Sequence, residues 1–351
     1  MTIDTLRSIA QLRDAGLVPA GQTAALDKVA ARYAVAITPA IAELIDRDDP
    51  NDPIARQFIP DPAELVSRPN ERADPIGDDA FSPVEGIVDR CRDRVLLKLV
   101  YACPVYCRFC FRREMVGPGG RRSLTADKRD AAYRYISQHP EIWEVILTGG
   151  DPLVLPPSLV GEVVRTLAAI DHVKIVRLHT RMPAMAPERI TAELVEGLRA
   201  PGATTYVALH ANHPRELSPA ARTACARIVD AGIPMLSQTV LLRGVNDDVE
   251  TLSALMRAFV ECRIKPYYLH HPDLAPGTGH LRSSIAAGQE LMRQMRGRIS
   301  GLCQPAYVLD IPGGAGKVPV GPNYISAAAD GAEQAYEVRT VNGGLHAYPP
   351  R

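Results

Sequence analysis

The chain is poor in aromatic residues, with one Trp, five Phe and twelve Tyr among 351 residues. It also carries no net charge, since forty Lys plus Arg are matched by forty Asp plus Glu. Balanced charge removes the electrostatic footprint of a nucleic-acid binder or of a protein drawn to an acidic membrane surface. No apolar run approaches the ~20 residues that a membrane-spanning helix needs. The opening stretch Met1-Thr-Ile-Asp-Thr-Leu-Arg7 lacks the apolar centre of a signal peptide. Seven cysteines are an odd count in a large chain, which argues against a disulfide framework and predicts a reducing, cytoplasmic setting. Internal repeats and low-complexity tracts are missing as well.

Three of those cysteines stand close together. Cys103, Cys107 and Cys110 lie in Tyr101-Ala-Cys-Pro-Val-Tyr-Cys-Arg-Phe-Cys-Phe-Arg-Arg113, directly after the apolar run Val95 to Val100. Thiolates are soft ligands, and such clusters hold zinc or iron–sulfur. A structural zinc site closes with four ligands, often in C-x2-C pairs. Here Cys91, Cys225, Cys262 and Cys303 are scattered, and no second pair exists. Three thiolates spaced C-x3-C-x2-C leave one iron of a [4Fe–4S] cluster without a protein ligand, open to a substrate or cosubstrate.

Residues 1 to 92 read as helical pieces joined by Pro- and Asp-rich loops. Beyond Arg94, β-like runs alternate with amphipathic helical ones. Strands are predicted at Val95–Tyr101, Glu144–Thr148, Val173–His179, Thr204–His210, Pro234–Leu242 and Pro266–His271. Helices are predicted at Ala126–Gln138, Pro157–Ala169, Pro187–Arg199, Pro219–Ala231, Val249–Glu261 and Ser283–Arg298. Six βα units imply a parallel sheet, either a barrel-like arc or a doubly wound sheet, with the site after the strand carboxyl ends. From about Gly301 the rhythm breaks into a strand, a Gly-rich loop and an irregular tail.

That loop reads Asp310-Ile-Pro-Gly-Gly-Ala-Gly-Lys-Val-Pro319. It is not a phosphate loop, because Ile311 stands where the first glycine belongs and Val318 where Ser or Thr must follow the lysine. A lysine among glycines suits a Schiff base instead, since bare backbone lets a cofactor approach closely. An exposed lysine in a turn-rich connection is the plainer reading of the same residues.

Taken with the cysteines, these motifs resemble the lysine 2,3-aminomutase family of the radical S-adenosylmethionine (SAM) superfamily. The resemblance runs from about residue 20 to 325. It rests on Asp93-Arg-Val-Leu-Leu97, the cysteine segment, Thr148-Gly-Gly-Asp-Pro-Leu153, Gln238-Thr-Val-Leu-Leu-Arg-Gly-Val-Asn-Asp247, Tyr267-Tyr-Leu-His-His-Pro-Asp-Leu274, and the glycine loop. It implies an α/β fold: a radical SAM partial (β/α)6 TIM-like barrel over residues 93–300, an N-terminal helical region over 1–92, and a C-terminal segment with a pyridoxal 5′-phosphate (PLP) lysine over 301–351.

The family's cluster ligands fall on Cys103, Cys107 and Cys110, and its PLP lysine on Lys317. Gly149, Gly150 and Asp151 match the segment that binds the methionyl end of SAM, with Gln238 and His210 also on the SAM side. Arg94 matches an arginine near the PLP phosphate. Arg112 matches the arginine that grips the substrate α-carboxylate, and Asp273 and Asp310 match the pair that holds the distal ammonium of lysine. The implied reaction moves the amino group of L-lysine from C2 to C3 by way of a 5′-deoxyadenosyl radical, with SAM regenerated. It needs an external electron donor such as flavodoxin or ferredoxin, and a homo-oligomer fits the family. Longer members carry extra C-terminal metal ligands, whereas this chain has no cysteine after Cys303. Related substrates (arginine, ornithine or glutamate), a radical SAM reaction without PLP, and a non-catalytic metal protein are the competing readings.

Overall fold

The computed structural model describes residues 4–117, 123–327 and 336–348. Four short helices open the chain: α1 (Ile9–Asp14), α2 (Thr23–Arg32), α3 (Pro39–Ala42) and α4 (Ala55–Phe58). Strand β1 (Ile87–Val88) then pairs antiparallel with β2 (Arg94–Val100). The alternating part follows as α5 (Ala126–Gln138), β3 (Glu144–Gly149), α6 (Pro157–Ala168), β4 (Ile175–Thr180), α7 (Met182–Met185), α8 (Ala192–Gly197), β5 (Thr204–His210), α9 (Pro219–Asp230), β6 (Met235–Val240), α10 (Val249–Glu261), β7 (Ile264–His270), α11 (Ile285–Arg298) and β8 (Ala306–Asp310). Strand β9 (Lys317–Pro319) returns antiparallel beside β8.

Strands β1 to β9 form one sheet whose spatial order equals chain order. That order decides between the two architectures left open by the sequence. A doubly wound sheet reverses direction at a switch point, whereas right-handed crossovers that never reverse put every helix on one face. The result is the curled, open arc of a partial TIM-like barrel with six βα units, its concave face turned away from the helices.

Most predicted elements are present with ends moved by one or two residues. The expected helix over 187–199 is broken, because Thr191 turns its hydroxyl to the Leu194 amide and starts α8 afresh after a short 3-10 turn at Pro187–Arg189. Strand β6 stops at Val240 rather than at Leu242, because Asn246 Oδ1 takes the Leu242 amide at 2.8 Å. The tail is not irregular among its described residues. Strands β10 (Ile325–Ala327), β11 (Tyr336–Arg339) and β12 (Leu345–Tyr348) form a second, antiparallel sheet. Gly343, at φ 86°, makes the turn into β12 possible.

The N-terminal region is fastened to the cysteine segment by one buried carboxylate. Glu64 is fully buried and accepts from Arg108 Nε at 2.9 Å and from the Arg113 guanidinium, while Arg108 Nη1 donates to the Ala34 carbonyl at 2.8 Å. Burial alone would raise the Glu64 carboxyl, but the two guanidiniums outweigh it and hold its pKa below the usual glutamate value. Removing the carboxylate would strand two buried cations. Glu64→Gln is therefore expected to lower the unfolding free energy by about 3–5 kcal/mol, read from urea denaturation. A loss under about 1 kcal/mol, the scale of a surface pair, would show that this cluster does not anchor the N-terminal region.

Candidate active site

The cysteine loop leaves the carboxyl end of β2 and is pinned by its own backbone. The Tyr106 amide donates to the Ala36 carbonyl at 3.1 Å and the Arg108 amide to the Gln57 carbonyl at 2.8 Å. A tight turn brings the Cys110 amide to the Cys107 carbonyl at 3.2 Å. The end of β3 lies against the start of this loop, with the Gly150 amide on the Val100 carbonyl at 2.5 Å and the Asp151 amide on the Ala102 carbonyl at 2.9 Å. Side chains have no room there. A Cβ on Gly149, which sits at φ +107°, would lie 2.5 Å from the Val100 oxygen, and one on Gly150 would lie 2.2 Å from the Ala102 oxygen.

Burial pushes all three thiols up, Cys110 to about 11 and Cys103 well above the ordinary value, with the Asp151 charge and then the other two thiols adding to the rise at Cys103, and Cys107 adding to it at Cys110. For Cys107 the Arg181 guanidinium works the other way, its Nη1 lying 2.8 Å from the sulfur. Without a bound cation the trio is neutral, and a metal centre would displace its protons. Among the described residues no three His, Cys, Asp or Glu side chains converge on a single point as one metal ion requires. Three thiolates on three corners of a cubane do not need to. The donor set, all sulfur and all partly buried, fits an iron–sulfur cluster with one side open to a ligand.

The Asp151 carboxylate faces away from this opening. It accepts from Thr180 Oγ1 at 2.8 Å, the Arg181 amide at 2.8 Å and the Leu153 amide at 3.0 Å. Of the expected SAM-side residues, Gln238 is buried between two histidines, with Nε2 3.2 Å from His179 Nε2 and Oε1 3.0 Å from His270 Nε2. His210 stacks obliquely on His179, with ring centroids 5.2 Å apart. Burial first, then nearby arginines and histidines, hold His179 and His210 well below the usual imidazole value, so both are neutral. His210 Nε2 is enclosed and has no hydrogen-bond partner. Such an orphaned atom, at the end of β5 beside His179, fits a polar ligand in this part of the barrel.

On the other side of the opening stands Lys317, directly across from Asp310 in the β8–β9 register. Its ammonium pairs with the Asp310 carboxylate, lies 3.3 Å from His270 Nδ1 and sits 5.5 Å above the Tyr268 ring. Asp310 also faces Arg90 at 3.7 Å and His270 at 3.6 Å. Burial opposes its charge, but His270 and Lys317 prevail and hold its carboxyl far below the usual aspartate value. The glycines around Lys317 leave space for a planar cofactor, since a Cβ on Gly316 would meet nothing. The same loop is packed behind: a Cβ on Gly314 would lie 2.3 Å from the Phe81 ring.

Arg112 is buried and oriented by Asp78, with Nη2 to Oδ2 at 3.0 Å, and by Thr148, with Nη1 to Oγ1 at 3.3 Å. Asp273 feels the charges of Asp310, Lys317 and Arg112, and burial followed by the Asp310 repulsion pushes its carboxyl up to about 7. Thus Lys317, Asp310, Asp273 and Arg112 share one electrostatic neighbourhood, and Gln238 reaches it through His270. Arg94 is the outlier. It is exposed at the amino end of β2, ion-paired with Asp93 at 2.7 Å, and lines a shallow depression of about 590 Å³ with Cys91, Arg92, Asp93 and Glu141. The cysteine loop leaves the opposite end of that strand. Sequence reading missed Asp78, Arg90, Arg181 and His270. Only His270, inside a quoted motif, carried a local signal; the others act through contacts far away in the chain.

The comparisons with known proteins agree with this layout. Residues 97–255 match the radical SAM superfamily, and residues 292–350 match the family described as lysine-2,3-aminomutase. The chain is 41% identical to L-lysine 2,3-aminomutase of Clostridium subterminale over 291 residues, covering 83% of this chain and 70% of that protein. It is 39% identical to a putative L-lysine 2,3-aminomutase of Aquifex aeolicus, covering 84% and 79%. Glutamate 2,3-aminomutase of Clostridioides difficile is 34% identical, covering 86% and 70%. Barrel, cysteine loop and sequence together define a radical SAM enzyme of isomerase type. Within that superfamily the chain belongs to the lysine 2,3-aminomutase family.

The raised carboxyl of Asp273 has a measurable consequence. Its folded pKa near 7 lies above the usual 3.8, so the stability it contributes is complete below about pH 4 and is lost as pH rises through 7. In protein free of cofactors, Asp273→Asn should therefore stabilise the fold at pH 8 by roughly 2–4 kcal/mol relative to its effect at pH 4. Urea unfolding at the two pH values reads this difference, and equal effects at both would place the Asp273 carboxylate in contact with water or a cation.

Proposed function

We propose that this chain interconverts L-lysine and β-lysine, with a [4Fe–4S] cluster on Cys103, Cys107 and Cys110, SAM beside it, and PLP on Lys317. The observation that carries the substrate is the acidic pair. Asp273 is a part-buried carboxyl that no salt bridge among the described residues neutralises, and Asp310 lies close enough to raise its pKa. A substrate ammonium arriving between them relieves that repulsion, while a second carboxylate, as on glutamate, would add to it. Arg112, held by Asp78 and Thr148, presents a guanidinium suited to the α-carboxylate. The substrate is thereby gripped at both ends and its C2–C3 bond is fixed in between.

The cluster and SAM supply a 5′-deoxyadenosyl radical, and PLP supplies a conjugated acceptor for the migrating nitrogen. The chain's own part is to bind and to exclude. Gly149 and Gly150 let the backbone approach SAM, and the neutral His210 and Gln238 offer it polar atoms. Lys317 holds PLP through its amine, with Asp310 opposite as counter-ion for that amine whenever it is free. Asp151 supports the SAM segment from behind. The enclosed imidazoles and the packed glycine loop keep water and stray hydrogen donors from the radical.

A one-electron donor of the flavodoxin or ferredoxin class completes the system, in a reducing cytoplasm. No helix among the described residues is long and apolar enough to cross a membrane. The second sheet exposes Ile325, Leu345 and Tyr348, more than half of each side chain's surface, which supports assembly into a homo-oligomer.

The test is anaerobic: protein reconstituted with iron, sulfide and PLP, then dithionite, SAM and L-lysine, with β-lysine read by chiral chromatography. β-Lysine is expected, and Lys317→Ala should abolish it. Asp273→Ala should weaken kcat/KM for lysine by about 2–5 kcal/mol, as for loss of one partner of a buried charge pair. SAM cleavage without β-lysine, or conversion of glutamate in its place, would overturn the substrate assignment.

A further inference from the structure

Arg181 follows β4 directly and is held from several sides. Its Nη1 donates to Cys107 Sγ at 2.8 Å, its Nη2 to Glu216 Oε2 at 2.6 Å and Gln57 Oε1 at 3.3 Å, and its Nε to the His210 carbonyl at 3.3 Å. The Phe58 and Phe109 rings flank it, 5.1 and 5.3 Å from the guanidinium carbon. Glu216 is fully buried, and its second oxygen is saturated by Gln57 Nε2 at 2.9 Å and by the Asn212 and His213 amides at 3.0 Å each. The guanidinium therefore cannot rotate away, and its positive edge is fixed toward one sulfur of the cysteine trio.

An enclosed ion pair of this kind is weak as a source of stability, because desolvating both charges offsets most of their attraction. It does create an oriented dipole, cation toward Cys107 and anion behind. Inside a protein such a dipole is little screened by salt. Hydrogen bonds to cluster sulfurs and nearby charge are the levers by which a protein sets an iron–sulfur potential. Accepting one electron makes the sulfur side more negative, so the Arg181 charge favours the reduced state and the Glu216 charge opposes it.

We propose that Arg181, clamped by Glu216 and Gln57, is a positioning residue that raises the reduction potential of the cluster through its N–H bond to Cys107 Sγ. The proposal rests on the cluster assignment made above for the three cysteines. The step concerned passes one electron from an external one-electron reductant to the cluster. The reductant is oxidised, the cluster is reduced, and no protein bond forms or breaks.

The test is a redox titration of the full, reconstituted chain without SAM or lysine, poised with dithionite and mediators and followed by the electron paramagnetic resonance of the reduced cluster. Three variants separate charge from packing. Glu216→Gln removes the opposing anion and should move the midpoint to more positive values. The double variant Arg181→Gln with Glu216→Gln keeps polar side chains and strands no charge. It should move the midpoint the other way, to roughly a tenfold lower ratio of reduced to oxidised cluster at a fixed poise, which is about 59 mV for one electron. Arg181→Lys keeps the charge without the fork, and its midpoint should fall between the double variant and the unchanged protein. A residue that merely braces the loop would alter melting temperature in all three and leave the midpoints together. Midpoints that coincide, or that move in one direction for both Gln variants, overturn the proposal. Failure of the unchanged protein to take up a cluster overturns the cluster assignment and this inference with it, whereas unchanged potentials in a loaded protein overturn this inference alone.

Discussion

The Asp151 carboxylate ties three parts of the site into one unit. Its own amide holds the Ala102 carbonyl at the start of the cysteine loop, and its side chain accepts from Thr180 at the end of β4 and from the Arg181 amide beyond it. A buried carboxylate with fewer donors would cost several kcal/mol, so neither the loop nor the β4 end can move without the other. Even with these donors, burial keeps the carboxyl above the usual aspartate value. The glycines before it serve the same closeness, since any Cβ at 149 or 150 would strike the backbone of the β2 end. Arg181 is thereby placed twice over: its amide anchors to Asp151 and its guanidinium reaches Cys107.

Around this unit the charges of the barrel opening are arranged in pairs, with one exception. Arg112 has Asp78, Lys317 has Asp310, and Arg181 has Glu216. Arg90 stands 3.9 Å from Asp78 and 3.7 Å from Asp310, joining the carboxylate-gripping side to the lysine side. Asp273 is the exception, close to an anion and far enough from the cations that its proton is retained to about pH 7. A cation brought beside Asp273 would therefore meet an acidic neighbourhood, while Arg112 keeps Asp78 as its counter-ion.

The sequence carried the barrel and the cofactor residues because both are written in local pattern. Six strands of apolar, β-branched runs and six amphipathic helices need only periodicity to be recognised, and Cys103, Cys107 and Cys110 sit within eight residues of each other. The choice of an open arc over a doubly wound sheet was not in the pattern, because strand order is a long-range property. The same distance hid the supports of the site. Asp78 meets Arg112 across 34 positions and Glu216 meets Arg181 across 35, and neither acid stands in a motif. Asp151 stands in a motif, yet the partners of its carboxylate, Thr180 and the amides of Leu153 and Arg181, were not legible there, because two of the three lie about thirty positions away. The β10–β12 sheet escaped notice because its strands are three or four residues long and separated by glycines.

The raised carboxyl of Asp273 would couple the approach of a cation to proton release. Below about pH 7 the Asp273 carboxyl keeps its proton, since burial and Asp310 disfavour a second charge. An ammonium brought between the two carboxylates reverses that balance, because a cation within a few ångströms lowers a carboxyl pKa as strongly as an anion raises it. The proton must then leave, and by linkage the affinity for the cation rises with pH until Asp273 is already ionised. Above that point the gain ends, and the fold carries a second anion beside the Asp310–Lys317 pair. Attraction for a cation and the cost of charging Asp273 thus come from the same carboxyl.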